Sequence, residues 1–174
     1  MIDFAMEWRA RPEWRAISPL GKVPVLIDDD IKMFESTAMM DYILAKYGDG
    51  RLQPESGTAA HAEYLQWHWF AEATFSRPLG EIVNHGREFP GDQKISAVVE
   101  EMQNRAVAAG EMVAAHLEDR DYLLGSEFTA ADISMGYTVM LFENFVPDRC
   151  PETLSDYWAR LNARPACQKA LTNP

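Results

Sequence analysis

The chain has 174 residues, 47% of them hydrophobic, which is enough apolar mass for the core of one compact unit or two small ones. Its formal net charge of −11 argues against nucleic-acid binding through a general basic surface, because neutralising phosphates requires clustered Lys and Arg. It contains no run of 18 apolar residues, no signal-peptide pattern and no C-x-x-C pair, so we expect a cytoplasmic protein with no membrane span and no metal site.

Before residue 50, short apolar runs alternate with turn signals. The first residues, MIDFA (1–5), are compatible with the end of a strand, and residues 11–17, opened by Pro12, predict a short helix or turn. VPVLI (23–27) is continuously apolar, so it predicts a strand that is covered on both faces.

A hairpin and a helix follow this strand. DDD (28–30) is typical of a turn, and IKMFE (31–35) predicts a second strand. STAMMDYILAKYG (36–48) predicts a helix that begins at Ser36, carries its apolar residues on one face and ends at Gly48.

The rest of the chain is predicted to be helical. DGRLQPESG (49–57) is rich in Gly and Pro, which predicts a linker. Helical patterns then cover 58–85 with a break or kink near Pro78, 92–119, 128–145, 152–163 and about 165–171. The predicted organisation is a small α/β domain over 1–48, a linker over 49–57 and an all-helical domain over 58–174.

Pro24 interrupts a strand near its front, although proline has no N–H to give to a sheet. If the Val23–Pro24 bond is cis, the backbone N–H and C=O of Val23 face outward, where an extended peptide ligand can dock antiparallel to them. The alternative is a trans bond in a proline that merely starts an edge strand.

Glu35 and Ser36 lie at the junction of the second strand and the following helix. The first N–H groups of a helix are unpaired and carry partial positive charge, so a carboxylate can bind to the Ser36 N–H and hydroxyl. Glu35 can hold an ammonium group beside it, and the pair therefore suits the head group of an amino acid. The alternative is an ordinary helix start next to a solvated charge.

Thr129 and Asp132 stand at the positions of a capping box at the start of the 128–145 helix, with Asp in place of the usual Glu. Three motifs thus follow in order: SPLGKVPVL, ESTAMMDYI and FTAADISMGY. The ordered set resembles the glutathione transferase family, and the resemblance extends over nearly the whole chain.

The resemblance implies a thioredoxin-like N-terminal domain, a helical C-terminal domain and a glutathione site. In that family the residue before the cis proline, here Val23, makes two backbone hydrogen bonds to the cysteinyl part of glutathione, and Pro24 follows it. Glu35 and Ser36 match the pair that binds the γ-glutamyl end, and Lys22 occupies a place where some classes use a basic side chain for the glycyl carboxylate. Thr129 and Asp132 match a structural capping box.

Members of the family lower the pKa of the glutathione thiol with a Ser, Tyr or Cys near the end of the first strand or the start of the first helix. The sequence has no counterpart of that segment, so no catalytic residue is identifiable and we expect it upstream of Met1. The N-terminal domain then lacks about 25–30 residues. Three explanations stay open: a fragment or an internally started gene model, a short protein whose sheet edge is covered by something else, or a non-catalytic relative.

The resemblance implies attack of the glutathione thiolate on a small hydrophobic electrophile that sits between the domains. It also implies a homodimer that uses the 36–47 helix and the two long helices. The alternative is a non-catalytic protein-interaction or regulatory module of the same fold, and we expect little or no conjugation by this chain alone.

Overall fold

The structure is a computed structural model that describes residues 9–172. Contacts divide the chain into two compact units, the first ending at Asp49 and the second beginning at Gly50. The strand end predicted for residues 1–5 lies outside the described residues.

The first unit contains a short helix, a hairpin and a longer helix. These elements are α1 (Pro12–Ile17), β1 (Leu26–Asp28), β2 (Ile31–Met33) and α2 (Ser36–Tyr47). The two strands are antiparallel, with Leu26 opposite Met33 and Asp28 opposite Ile31. The predicted hairpin and both predicted helices of this region are confirmed.

The strands are shorter and more exposed than the sequence predicts. β1 begins two residues after Pro24, and β2 ends two residues before Glu35, whose φ of 69° is incompatible with a strand. The expectation of a strand covered on both faces is wrong, because Ile27 is 57% exposed. Successive side chains of a strand point to opposite faces of the hairpin. When only one face is covered, the side chains on the other face are exposed to solvent.

The helices and turns described in the second unit follow one another without a strand between Ala59 and Thr172. Its elements are α3 (Ala59–Trp69), a π-helical segment (Phe70–Ser76), α4 (Arg77–Glu88), a 3₁₀ turn (Gly91–Gln93), α5 (Ser96–His116), α6 (Ala130–Phe145), a second 3₁₀ turn (Pro147–Arg149), α7 (Glu152–Asn162) and α8 (Pro165–Thr172). The predicted fold class, a small α/β part followed by an all-helical part, is confirmed. Of the helices formed by residues 9–172, none is both long and apolar enough to cross a membrane.

The sequence predicts a break or kink near Pro78, and the helical pitch changes just before that residue, directly after Trp69. Residues Phe70–Ser76 form wider π-helical turns, and Pro78 lies in the first turn of α4. Ser76, which precedes α4, is itself in the helical region, so Pro78 lies within a continuous helical path and removes one backbone donor from it. The chain nevertheless stays helical to Glu88, and the helix changes its pitch near Pro78 instead of breaking.

Helix α6 lies at the centre of the second unit. Met135, Val139 and Phe142 of α6 are fully buried, and the Phe142 ring packs edge-on against Phe75 with centroids 5.3 Å apart. A Cβ at Gly136 would lie 2.6 Å from Leu161 Cδ1, so glycine is what allows α7 to approach α6 this closely.

The amino end of α6 is organised around the buried carboxylate of Asp132. Asp132 Oδ2 accepts hydrogen bonds from the Thr129 N–H (2.8 Å) and hydroxyl (3.1 Å), and Oδ1 accepts from the Leu123 N–H (2.9 Å) and the Tyr157 hydroxyl (2.8 Å). Thr129 and Asp132 form a capping box. Burial, followed by the charge of Asp132, raises the pKa of Tyr157 well above its usual 10. One side chain thereby joins the α5–α6 connection, the start of α6 and helix α7.

We expect Asp132→Asn to lower the free energy of unfolding of the second unit by about 1–3 kcal/mol. The amide –NH₂ must face either the Leu123 N–H or the Thr129 N–H, neither of which can accept, and a buried donor left unpaired costs about 1–3 kcal/mol. Chemical denaturation followed by circular dichroism measures the change. The matched control is Asp119→Asn, which replaces an exposed carboxylate and should change stability by less than about 0.5 kcal/mol. Equal effects of the two substitutions would contradict this role of Asp132.

Candidate functional site

A tight turn leads into the residues that the sequence singles out. The Gly21 N–H donates to the Ser18 carbonyl (2.8 Å), which closes a turn containing Pro19 and Leu20. Gly21 has a φ of +66°, and a Cβ there would lie 2.8 Å from the carbonyl oxygen of Arg9, so the turn requires glycine. Lys22 and Val23 leave this turn with exposed side chains.

Val23 is followed by a cis peptide bond to Pro24. Neither the N–H nor the C=O of Val23 makes a hydrogen bond to any residue between positions 9 and 172, and its side chain is 37% exposed. The ladder of β1 starts only at Leu26. A donor and an acceptor of the main chain are therefore available to a ligand at this point.

Glu35 and Ser36 lie beyond the same end of the hairpin as this segment. Leu26 and Met33 form the last pair of the ladder, and the chain continues from that pair to Val23 and Pro24 on one strand and to Glu35 and Ser36 on the other. All four residues lie beyond the same end of the hairpin. Lys22 precedes Val23 directly and belongs to the same end.

Glu35 has a backbone conformation that L-residues rarely adopt. Its φ is 69° and its ψ is 107°, and its side chain makes no capping hydrogen bond. Such a conformation costs about 1–3 kcal/mol and is concentrated at binding and catalytic sites. Because Glu35 is exposed, no buried contact of its side chain explains why the chain adopts it.

Helix α2 begins directly after this residue. The first backbone hydrogen bond of the helix runs from the Met39 N–H to the Glu35 carbonyl (3.0 Å), which leaves the N–H groups of Ser36, Thr37 and Ala38 without an acceptor among residues 9–172. These donors and the helix dipole favour an anion at Ser36. The site thus combines an anion-binding helix end, a carboxylate that can bind an ammonium group, and free main-chain groups.

A carboxylate at the other end of the hairpin holds α2 in place. Asp28 Oδ2 accepts hydrogen bonds from Lys46 Nζ (2.7 Å) and the Tyr42 hydroxyl (2.7 Å), and the Tyr47 hydroxyl donates to both carboxylate oxygens (2.9 and 2.8 Å). These donors, Lys46 first, lower the pKa of Asp28 from 3.8 to about 2. The contact fixes the last turns of α2 to β1.

The sequence analysis missed the roles of Ser18 and Asp28. Ser18 appears there only as the first letter of SPLGKVPVL, and Asp28 was assigned to the turn DDD. The spacing of Tyr42, Lys46 and Tyr47 along α2 was the available signal, since Tyr42 and Lys46 lie four residues apart on one side of the helix and Tyr47 follows Lys46 directly. The capping pair, Thr129 and Asp132, belongs to the second unit and has the structural role described above.

The second unit contains an apolar groove of about 420 Å³ between α6, α7 and α8. Ile133, Tyr137 and Trp158 are among its lining residues, and the Arg164 guanidinium at its edge stacks 3.5 Å from the centre of the Phe128 ring. None of the five predicted glutathione-binding residues lines this groove. Between positions 9 and 172, no three His, Cys, Asp or Glu residues are grouped so that they could hold a metal ion.

Two family models match the chain: the glutathione S-transferase N-terminal domain over residues 5–54 and the glutathione S-transferase C-terminal domain over residues 96–168. Glutathione S-transferase 4 of Zea mays is 30% identical, with 91% of this chain aligned to 73% of that protein.

Two solved structures resemble this one over nearly its whole length. The crystal structure of poplar glutathione transferase F1 superposes with a TM-score of 0.80 at 26% identity, and 98% of this chain covers 82% of that one. A glutathione transferase family member from Pseudomonas fluorescens, solved with two glutathione bound, superposes with a TM-score of 0.84 at 23% identity, and 99% of this chain covers 80% of it. The predicted fold, a thioredoxin-like part followed by a helical domain of this family, is confirmed.

We expect the first unit to lose stability as the pH falls from about 4 to about 2, the interval between the usual and the lowered pKa of Asp28. The folded pKa is the lower one, so the ionised carboxylate stabilises the folded state above this interval, and that stabilisation is lost as the pH falls through it. A ¹³C NMR titration of the Asp28 carboxyl should give a midpoint near 2.

Asp28→Asn should reduce the acid dependence of the first unit, whereas Asp30→Asn, which replaces an exposed carboxylate in the adjoining turn, serves as the matched control. A titration midpoint near 3.8 for Asp28 would contradict the assigned contacts.

Proposed function

This chain belongs to the glutathione S-transferase family, and we propose that it binds glutathione at the end of the hairpin formed by Lys22–Pro24 and Glu35–Ser36. Glutathione is a tripeptide with an amino-acid head, an extended middle and a terminal carboxylate. Each of these parts has a chemically suitable counterpart among the five residues.

The γ-glutamyl head is assigned to α2 and the residue before it. Its carboxylate binds to the N–H and hydroxyl of Ser36, where the unpaired N–H groups and the helix dipole favour negative charge. Its ammonium group pairs with the exposed carboxylate of Glu35. The unusual φ of Glu35 supports this assignment, because the conformation places an exposed acidic side chain directly at a helix amino end.

The cysteinyl part is assigned to the main chain of Val23. An extended peptide docks antiparallel to a free backbone N–H and C=O, as a strand docks to a sheet edge. The hairpin supports a single ligand spanning both places, since Val23 and Ser36 both lie beyond the end of the ladder at Leu26 and Met33. The proposal rests on the observation that both places lie beyond the same end of the hairpin. Lys22, whose side chain is exposed beside Val23, is assigned to the glycyl carboxylate.

The proposed reaction is conjugation of glutathione to a small hydrophobic electrophile. The thiolate sulfur forms a bond to an electrophilic carbon, and the leaving group departs with the electron pair of its own bond. The residues assigned above bind and orient the tripeptide, and none of them is assigned to thiol activation.

We further propose a cytoplasmic homodimer in which α2 and the long helices α3–α4 and α5 supply the contact surfaces. Trp69 on α3 and Met112 on α5 are exposed apolar residues of those surfaces.

We expect the wild-type chain to release heat on titration with glutathione and Glu35→Gln to bind glutathione about 10- to 100-fold more weakly. The substitution removes the charge that pairs with the ligand's ammonium group, and a hydrogen bond to a charged group contributes about 1.5–3 kcal/mol. Isothermal titration calorimetry measures both affinities.

The matched control is Glu13→Gln, an exposed acidic residue of α1 that has no assigned role in binding, and its affinity should equal that of the wild type. No heat with the wild type, or equal affinity of the Glu35→Gln variant, would refute the binding assignment. A conjugation assay with an aryl halide separates catalysis from binding: glutathione binding without conjugation would favour a non-catalytic interaction module of this fold.

A further inference from the structure

The hydroxyl of Ser18 holds both polar backbone groups of Lys22. Ser18 Oγ donates to the Lys22 carbonyl (2.8 Å) and accepts from the Lys22 N–H (3.0 Å). Ser18 is only 1% exposed, so water cannot easily replace either hydrogen bond. A single buried side chain thereby fixes the residue that immediately precedes Val23.

The carbonyl that Ser18 holds belongs to the same peptide group as the Val23 N–H. A peptide group is planar, and in the trans form its C=O and N–H point in opposite directions. The only cis bond among residues 9–172 is the one after Val23, so the Lys22–Val23 bond is trans. Fixing the Lys22 carbonyl toward Ser18 therefore directs the Val23 N–H away from Ser18. That N–H has no acceptor among residues 9–172.

Ser18 is itself anchored on two sides, so it can serve as a fixed point. Its N–H donates to the Trp14 carbonyl of α1 (2.7 Å), and its carbonyl accepts from the Gly21 N–H (2.8 Å). Because these bonds use the backbone, the hydroxyl stays free for Lys22. Hydrogen bonding to a carbonyl also polarises its peptide group, which makes the N–H at the other end a better donor.

We propose that Ser18 is a positioning residue that aims the Val23 N–H at the bound ligand, an inference that rests on the glutathione site proposed above. Ser18 touches no ligand atom in this arrangement. It acts through one peptide group, and its contribution to affinity depends on its hydroxyl.

The test compares Ser18→Ala with Ser18→Thr, which keeps the hydroxyl, and with Ser126→Ala as the control for loss of an exposed hydroxyl in the second unit. Calorimetry with glutathione should show about a 10-fold loss of affinity for Ser18→Ala. Ser18→Thr should stay within about threefold of the wild type, and Ser126→Ala should equal it.

A second readout follows the site directly. In ¹⁵N–¹H spectra at saturating glutathione, the Val23 amide of the wild type should shift strongly. In Ser18→Ala that shift should shrink while the shift of the Ser36 amide persists. A general loss of structure would reduce both shifts together, so the pair of amides separates positioning from stability.

The outcomes distinguish this inference from the function on which it rests. No binding by the wild type would refute the proposed function. Binding by the wild type with equal affinity of Ser18→Ala, or with equal losses in Ser18→Ala and Ser18→Thr, would overturn the role of Ser18 alone. If Ser18→Ala does not fold, hydrogen exchange in the free wild type decides: the Lys22 amide should be protected and the Val23 amide should exchange rapidly, and equal exchange would overturn the inference.

Discussion

The candidate site depends on where the hairpin ladder stops. Pairing ends at Leu26 and Met33, and the next residues on both strands leave the sheet, through Pro24 on one side and through the positive φ of Glu35 on the other. Proline cannot donate to a ladder, and a residue with that φ cannot continue one. The main-chain groups of Val23 and the first N–H groups of α2 therefore lie beyond this end of the hairpin without a hydrogen-bond partner among residues 9–172.

In each unit, one carboxylate accepts several hydrogen bonds and thereby joins separate segments of the chain. Asp28 accepts from three side chains of α2 and holds that helix to the hairpin, whereas Asp132 accepts from two backbone N–H groups and two hydroxyls at the start of α6. A carboxylate has about four acceptor sites, so one side chain can join several segments of the chain. The buried hydroxyl of Ser18 does this on a smaller scale for a single peptide group.

Most elements of the fold could be predicted from the sequence because their signals are local. Ser36 and Gly48 mark the ends of α2, Thr129 and Asp132 mark the start of α6, and each depends on residues within one helical turn. The π-helical segment before Pro78 and the exposure of Ile27 were not predicted, since both depend on what packs against the chain. The resemblance of the three ordered motifs to a known family, added to the residue types, singled out Lys22, Val23, Pro24, Glu35 and Ser36 as a candidate site.

The sequence by itself determined the family resemblance, the division into an α/β part and a helical part, and the residue types offered to a tripeptide. Only the tertiary structure decided that the hairpin ladder ends at Leu26 and Met33, that Glu35 adopts a positive φ, and that the Ser18 hydroxyl holds Lys22. The physical reason is that residue types and spacings fix local conformation, whereas the direction of a hydrogen-bonding group depends on its partners, which here lie four or more residues away along the chain.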